Sequence, residues 1–428
     1  MLLRRTVLLL PVILLLARSS GAQQSTPAVL SPADKMYGLA QVWSEAKYNF
    51  VYMDKVQTDW DSLYRDALPK ALAAESTQAY YDVLRRLVAR LNDGHTSVWY
   101  PGSYYQKEFA YAPLKTELIE GRVFITRLLN DSLAQAGLER GTEILQVNGV
   151  DVHRHVRETL LPYEGVSTPQ NRDFMLYTAY LLNGPVNEPL RLTVKDRKGR
   201  VREVSFSRGL KKSEPPLVQF RMRPDSIGVL TINGFTASDF KQQFDTLYPV
   251  LLKSKALVID LRENTGGDGS QGEYMLRHFL RTPFPDPVIS SRQHNPLFRI
   301  WGFRTDGYYT MGSGSNAPFT DRPIYDKPIA VLIGKGTASA AEDFTMPFHY
   351  LKRGPVVGQP SAGTTGQPLM RSLPGGGTLR ICVRKDTYPD GKEFVGIGIQ
   401  PTLFVPESAE SFLKGEDAVM KKAVEMLK

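Results

Sequence analysis

Cysteine is almost absent from this sequence: 428 residues contain one, Cys382. No internal disulfide can form, so stability rests on buried apolar surface, and 42% apolar residues in a chain of this length are ample for that. Cys382 lies in TLRICVR (378–384), which reads as a strand, and is taken as a small buried hydrophobe rather than a nucleophile. Long apolar runs are equally scarce. The run over residues 7–17 is too short to span a bilayer; it follows Arg4-Arg5 and precedes Ser20-Gly21-Ala22, the layout of a secretory leader over 1–22. No other stretch reads as transmembrane, and no cysteine follows the run to carry a lipid. Basic runs are missing too. The formal charge of +9 falls to +6 without Arg4, Arg5 and Arg18, and it is spread out without interleaved aromatics, which argues against nucleic-acid binding. His153 and His155 have a spacing that would chelate a metal from one strand face, but no third or fourth ligand is evident, so no metal and no cofactor are expected.

What is present divides the chain into stretches of different period. After a polar tether at 23–31, Ser31-Pro-Ala-Asp34 caps a helix reaching about residue 49. A second helix follows Ser76, with Tyr80, Val83, Leu84, Leu87, Val88 and Leu91 on one stripe, and stops at Asn92-Asp93-Gly94. Residues 32–100 thus read as a small helical N-terminal domain with His95 in a loop just beyond its last helix. Over 110–208 the period changes to short strands at 122–127, 143–147, 190–194 and 202–206, with Asn148-Gly149 as a turn and a partly helical middle at 153–185. From 218 to 428 strands at 227–232, 256–261, 329–333 and 356–357 alternate with helices that follow Phe240 and Ala340, which implies an α/β domain with a buried sheet. Residues 284–325, rich in Pro, Gly, Asn and Ser, read as a long loop of the lid or substrate-edge kind.

Sites in α/β sheets lie at the carboxyl ends of strands, and two such ends stand out. One is Asp260-Leu-Arg-Glu-Asn-Thr-Gly-Gly267, where Gly266 and Gly267 let backbone N–H groups face a bound oxygen. The other is Gly336-Thr-Ala-Ser-Ala-Ala-Glu342, which sets Ser339 between a buried strand and a helix N-terminus. Ser339 with Glu342 also spells a capping box, and alone a cap is the commoner meaning. A nucleophilic serine needs a base, and His95 is the histidine in a polar loop able to reach another domain. Ser411-Phe-Leu-Lys414 has the Ser-x-x-Lys spacing but lies on a terminal amphipathic helix without companion motifs, and is read as chance.

In this order, LNDGHTSV (91–98), AGLERGTEILQVNG (136–149), VIDLRENTGG (258–267), TASAAE (337–342), VVGQPSAGTTG (356–366) and the closing GIGIQP resemble the tail-specific, C-terminal-processing protease family, peptidase family S41. The resemblance implies a multidomain α/β fold: a crotonase-like ββα protease domain (218–428), a PDZ-like β module (110–208) and the small helical domain. Members that pair the serine with a lysine carry it about where Thr364 stands, so the similarity is to the tricorn-like Ser/His subgroup. It implies Ser339 as nucleophile, His95 as general base, and an oxyanion hole from the N–H groups of Gly266, Gly267 and Ala340. In that subgroup a serine precedes the histidine and a glutamate lies near the final motif; here Gly94 and Val395 stand there. The group that orients His95 is therefore left open among Glu342, Asp390 and Glu393. By the same resemblance the chain is a periplasmic serine endopeptidase acting on protein or peptide substrates. The PDZ-like module would bind their C-termini by strand addition and be separable from the chemistry. The alternative is a catalytically inactive peptide- or hydrophobic-ligand-binding protein on the same fold.

Overall fold

A computed structural model describes residues 29–428; the leader predicted over 1–22 and most of the tether fall outside the described residues. Among the described residues no helix is long and apolar enough to cross a membrane.

A six-stranded sheet organises the C-terminal half. Its strands run in the order Leu403–Phe404, Val356–Gly358, Ile329–Ile333, Ala256–Asp260, Ile227–Ile232, Val218–Met222. All neighbours are parallel except the last pair. The central strands are apolar throughout except for Asp260 at the carboxyl end of one, because both faces are covered. Leu257, Ile259, Val331 and Ile333 face one core, while Ala256, Val258, Ala330 and Leu332 face another, closed by Met420, Ala423 and Val424 of the helix Ala418–Met426. The two central strands therefore end side by side, at Asp260 and Ile333, and their turns emerge together.

The helices Pro32–Asn49, Trp60–Ala73 and Thr77–Ala89 form where the capping signals lie; Ser31 and Ser76 accept the N–H groups of Asp34 and Ala79. Asp59 caps the middle helix, which the sequence pattern did not resolve. Their apolar faces do not make a separate core. Leu39, Tyr80, Leu84 and Leu87 belong to the same buried cluster as Leu257 and Val331, because Ser97–Trp99, just past His95, pairs antiparallel with Thr378–Cys382. Cys382 is buried at the end of that strand.

Residues 110–208 hold an antiparallel sheet in the order Leu114–Ile119, Arg122–Leu128, Glu143–Val147, Pro189–Lys195, Val201–Ser207, around its own core of Val123, Ile125, Leu190, Leu192 and Val194. The middle of the module departs from regular helix. Val156–Leu160 and Met175–Ala179 are π-helical turns, and Pro169–Phe174 is a short helix capped by Thr168. The 175–179 turn covers the outer edge strand, with Thr116 Oγ1 donating to the Tyr177 carbonyl at 2.5 Å. His153 lies on a helical turn against the Tyr177 hydroxyl, so the one-strand chelate has no strand to form on.

The stretch 284–325 is not a plain loop. It folds into a hairpin of Val288–His294 and Asp306–Thr310 plus a two-residue ladder, Phe284–Pro285 with Ser315–Asn316. The first hairpin strand is mostly half-buried and the second largely exposed, and their sequences, VISSRQH and DGYYT, lack the alternation by which a half-buried strand is read.

Candidate active site

The two strand-end turns lock onto each other first. Asn264, fully buried, donates nothing to solvent: its carbonyl accepts Ala338 N–H at 3.0 Å and its side-chain oxygen accepts Gly266 N–H at 2.9 Å. Thr337 Oγ1 donates to Leu261 O at 2.8 Å and accepts from Gly334 N–H at 3.0 Å. So tied, the second turn forces Ser339 to φ 54°, a positive value that is uncommon for a residue with a Cβ. An ordinary N-cap sits in the extended region, which Ser339 leaves. Of the capping box that the spacing predicts, the Glu342 arm forms, accepting Ser339 N–H at 3.2 Å, and the serine hydroxyl faces His95.

His95 Nε2 lies 3.1 Å from Ser339 Oγ, although 244 positions separate the two residues. The histidine loop is held from several sides. Buried Asp93 accepts His95 N–H at 3.2 Å and Thr96 Oγ1–H at 2.6 Å, Thr96 Oγ1 accepts Cys382 N–H at 3.0 Å, and Gly94 N–H donates to Ser167 Oγ at 3.0 Å. Burial pushes the Asp93 carboxyl up to about 6, against the pull of these donors. Burial, reinforced by Arg380 and Arg384, pushes His95 down to about 4, so its imidazole is neutral at pH 7.

The other ring nitrogen meets none of the three groups the sequence offered. His95 Nδ1 lies 3.2 Å from Thr364 Oγ1. Asp390 pairs with Lys392 at the surface, and Glu393 with Lys55 and Lys385. Glu342 is fully buried and spends its carboxylate elsewhere: besides Ser339 N–H it accepts Ser361 Oγ–H at 2.5 Å, Gly363 N–H at 2.8 Å, Thr364 N–H at 2.9 Å and Thr365 Oγ1–H at 2.8 Å. Ser361 Oγ takes Ile399 N–H at 2.6 Å, which leaves its own proton for Glu342. Burial pushes the Glu342 carboxyl up, but five donors and no acceptor surround it, so we assign it as the carboxylate.

The backbone donors divide as well. Gly266 N–H is spent on Asn264, which removes it from the expected oxyanion hole; its part is close packing, since a Cβ there would lie 2.7 Å from Ser339 Cβ. Gly267 N–H and Ala340 N–H, the latter at the first helical position, have no partner among the described hydrogen bonds. Ala340 directly follows Ser339, and Gly267 directly follows Gly266, which packs on Ser339.

Residues 164–174 of the β module, which carried no site signal, supply much of the support. Thr168 Oγ1 donates to Ala362 O at 2.7 Å, Gln170 Nε2 to Ser361 O and Ile397 O at 3.0 and 2.8 Å, and Phe174 packs on Gly336. No grouping of His, Cys, Asp and Glu suited to a metal occurs among the described residues.

Residues 226–405 match the model of peptidase family S41. The chain is 26% identical over 373 residues to the chloroplastic carboxyl-terminal-processing peptidase 2 of Arabidopsis thaliana, covering 83% of this chain and 65% of that protein. It is 22% identical over 401 residues to the carboxyl-terminal-processing protease of a Synechocystis strain, covering 91% and 85%. The chain spans between half and two thirds of the length of the first curated relatives it matches, 49% to 65%. Among solved structures, mature CPAF complexed with lactacystin superposes with a TM-score of 0.70 over 92% of this chain and 99% of that one, at 16% identity, a likeness of fold. Residues 226–405 thus carry the match to peptidase family S41, within a multidomain α/β fold similar to that of CPAF.

Proposed function

We propose that the chain is a secreted serine endopeptidase that hydrolyses peptide bonds of protein or peptide substrates through an acyl-enzyme on Ser339. The observation that carries this reading is the 3.1 Å approach of His95 Nε2 to Ser339 Oγ beside two unspent N–H groups. His95 takes the hydroxyl proton as Ser339 attacks the carbonyl carbon, and Gly267 and Ala340 N–H receive the oxyanion. The imidazolium then protonates the leaving amine, and water, deprotonated by His95, releases the acyl group. The family match over residues 226–405 and relatives of the carboxyl-terminal-processing kind support peptide substrates. The leader pattern supports export, with the periplasm as the expected compartment. The β module is assigned a PDZ-like role in substrate recognition. Its edge strand Leu114–Ile119 is covered by the 175–179 turn, so a peptide adding there must displace the Thr116–Tyr177 contact.

Fluorophosphonate labelling of the mature protein tests the reading. Wild type should label, and Ser339→Ala and His95→Ala should not while keeping their fold by circular dichroism. A folded wild type that neither labels nor turns over any peptide would favour an inactive binding protein instead.

A further inference from the structure

We propose that Thr364 is the positioning residue for His95: its hydroxyl accepts the imidazole Nδ1–H and so fixes the tautomer whose Nε2 takes the Ser339 proton. The inference rests on the Ser339/His95 reading above and names the partner that sequence comparison left open.

Three observations converge on it. Thr364 Oγ1 is the side-chain group at Nδ1, at 3.2 Å, and Thr364 is only 5% exposed, so water does not compete freely for the ring. Thr364 does not choose its own place. Its N–H and those of Gly363 and Ser339 are gathered by the one buried carboxylate of Glu342, which sets the nucleophile and the hydroxyl at a fixed separation with the imidazole between them. Finally, the hydroxyl fills the space that a side chain at position 94 would need: a Cβ on Gly94 would collide with Thr364 Oγ1 and lie 3.3 Å from Asn171 Oδ1. The glycine before the histidine is therefore the counterpart of the threonine across from it.

A hydroxyl orients the ring but brings no negative charge. The charged groups near His95 are Arg380 on the strand behind it, Arg384 just beyond the end of that strand, Asp93 on its own loop, and Glu342 on the helix of the nucleophile; none of them bonds a ring nitrogen. Both arginines oppose protonation. The base is thus neutral far into acid, and the acid limb of kcat/KM for wild type should fall well below the ordinary histidine range of about 6.5.

The test uses the full mature chain and an activated ester, with Thr364→Val, Thr364→Ser and Thr364→Asp beside Ser339→Ala. Thr364→Val keeps the shape and should lower kcat about 100-fold with KM little changed, as loss of an aligned base does. Thr364→Ser should recover activity to within about threefold of wild type. Thr364→Asp should raise the acid limb by about 1 to 3 pH units, because a carboxylate at Nδ1 favours the imidazolium. Asp93 titrates nearby, but it is common to all variants and drops out of the comparison. Nitrogen-15 shifts of His95 at neutral pH should report the Nδ1–H tautomer, a readout that needs no variant to fold. Thr364→Val with wild-type kcat and pH profile, or a wild-type Nε2–H tautomer, would overturn the inference. Activity surviving in Ser339→Ala would instead overturn the functional reading on which it rests.

Discussion

A serine at φ 54° bears a backbone cost of about 1–3 kcal/mol, which the surrounding structure has to offset. The offset is visible in Asn264, Thr337 and Glu342, which tie the residues around Ser339 to the 260–268 turn and to the 361–365 segment. The same crowding makes single atoms decisive. Gly94→Ser should place a side chain on Thr364 Oγ1 and destabilise the protein by about 1–3 kcal/mol through overpacking, with loss of fluorophosphonate labelling. Adding Thr364→Gly should restore part of the stability but not the labelling, because the two positions share one volume while the hydroxyl at Nδ1 is gone; a double-mutant cycle on denaturation midpoints measures it. Strict additivity of the two changes would show that they do not compete for the space.

At the scale of elements, the informative unit is the turn from Asp260 to Asp268. Gly267 has φ +132°, and a Cβ there would run into the Phe235 carbonyl. That carbonyl accepts Asp268 N–H at 2.7 Å and Phe235 N–H donates to Gly266 O at 2.9 Å, so the turn is stitched to the end of the neighbouring strand. Gly267→Ala should therefore move the proposed oxyanion donor and lower ester turnover by about 100-fold or more, with KM less affected. An unchanged kcat would relocate the oxyanion hole. The glycine pair was legible in the sequence; the division of labour between Gly266, which spends its N–H on Asn264, and Gly267 was not. Likewise the serine–glutamate spacing predicted a capping box, and the glutamate arm is there. The serine hydroxyl also meets His95, which arrives from another part of the chain.

At the scale of the whole molecule, the expected separation of recognition module and chemistry does not match the packing. Residues 164–174 leave the β module to clamp the 361–363 segment, the 94 loop and Gly336. Deleting 110–208 would remove this support, so it should abolish turnover of even a small ester rather than only alter substrate preference. The finer cut is Thr168→Val, which removes the hydrogen bond to Ala362 O and the cap on Asn171 N–H. It should lower ester turnover by about 10- to 100-fold through misplacement of the 361–365 segment, with a stability loss of only about 1 kcal/mol from the lost cap. Unaltered ester kinetics in this variant would restore the separable module. The module is joined to the catalytic turns by charge as well. Arg127 pairs with Glu263 at 2.9 Å, and Lys335, four residues before Ser339, donates to Leu118 O at 3.0 Å and pairs with Glu407 at 2.5 Å.

The sequence by itself determined the elements whose cause is local. These are the helices after Ser31 and Ser76, the buried strands at 256–260 and 329–333, the glycine turn, and the order of motifs that marks the family. Periodicity and capping act within a few residues, so they can be read from a few residues. The hairpin within 284–325 escaped because its strands carry no hydrophobic alternation. The partner of His95 escaped for a different reason. Asp390, Glu393 and Glu342 had the right charge, but the choice among them and Thr364 depended on which side chain fills the space beside Nδ1. That space is bounded by Gly94, Glu342 and the 361–365 segment, brought together from remote parts of the chain only when the core closes.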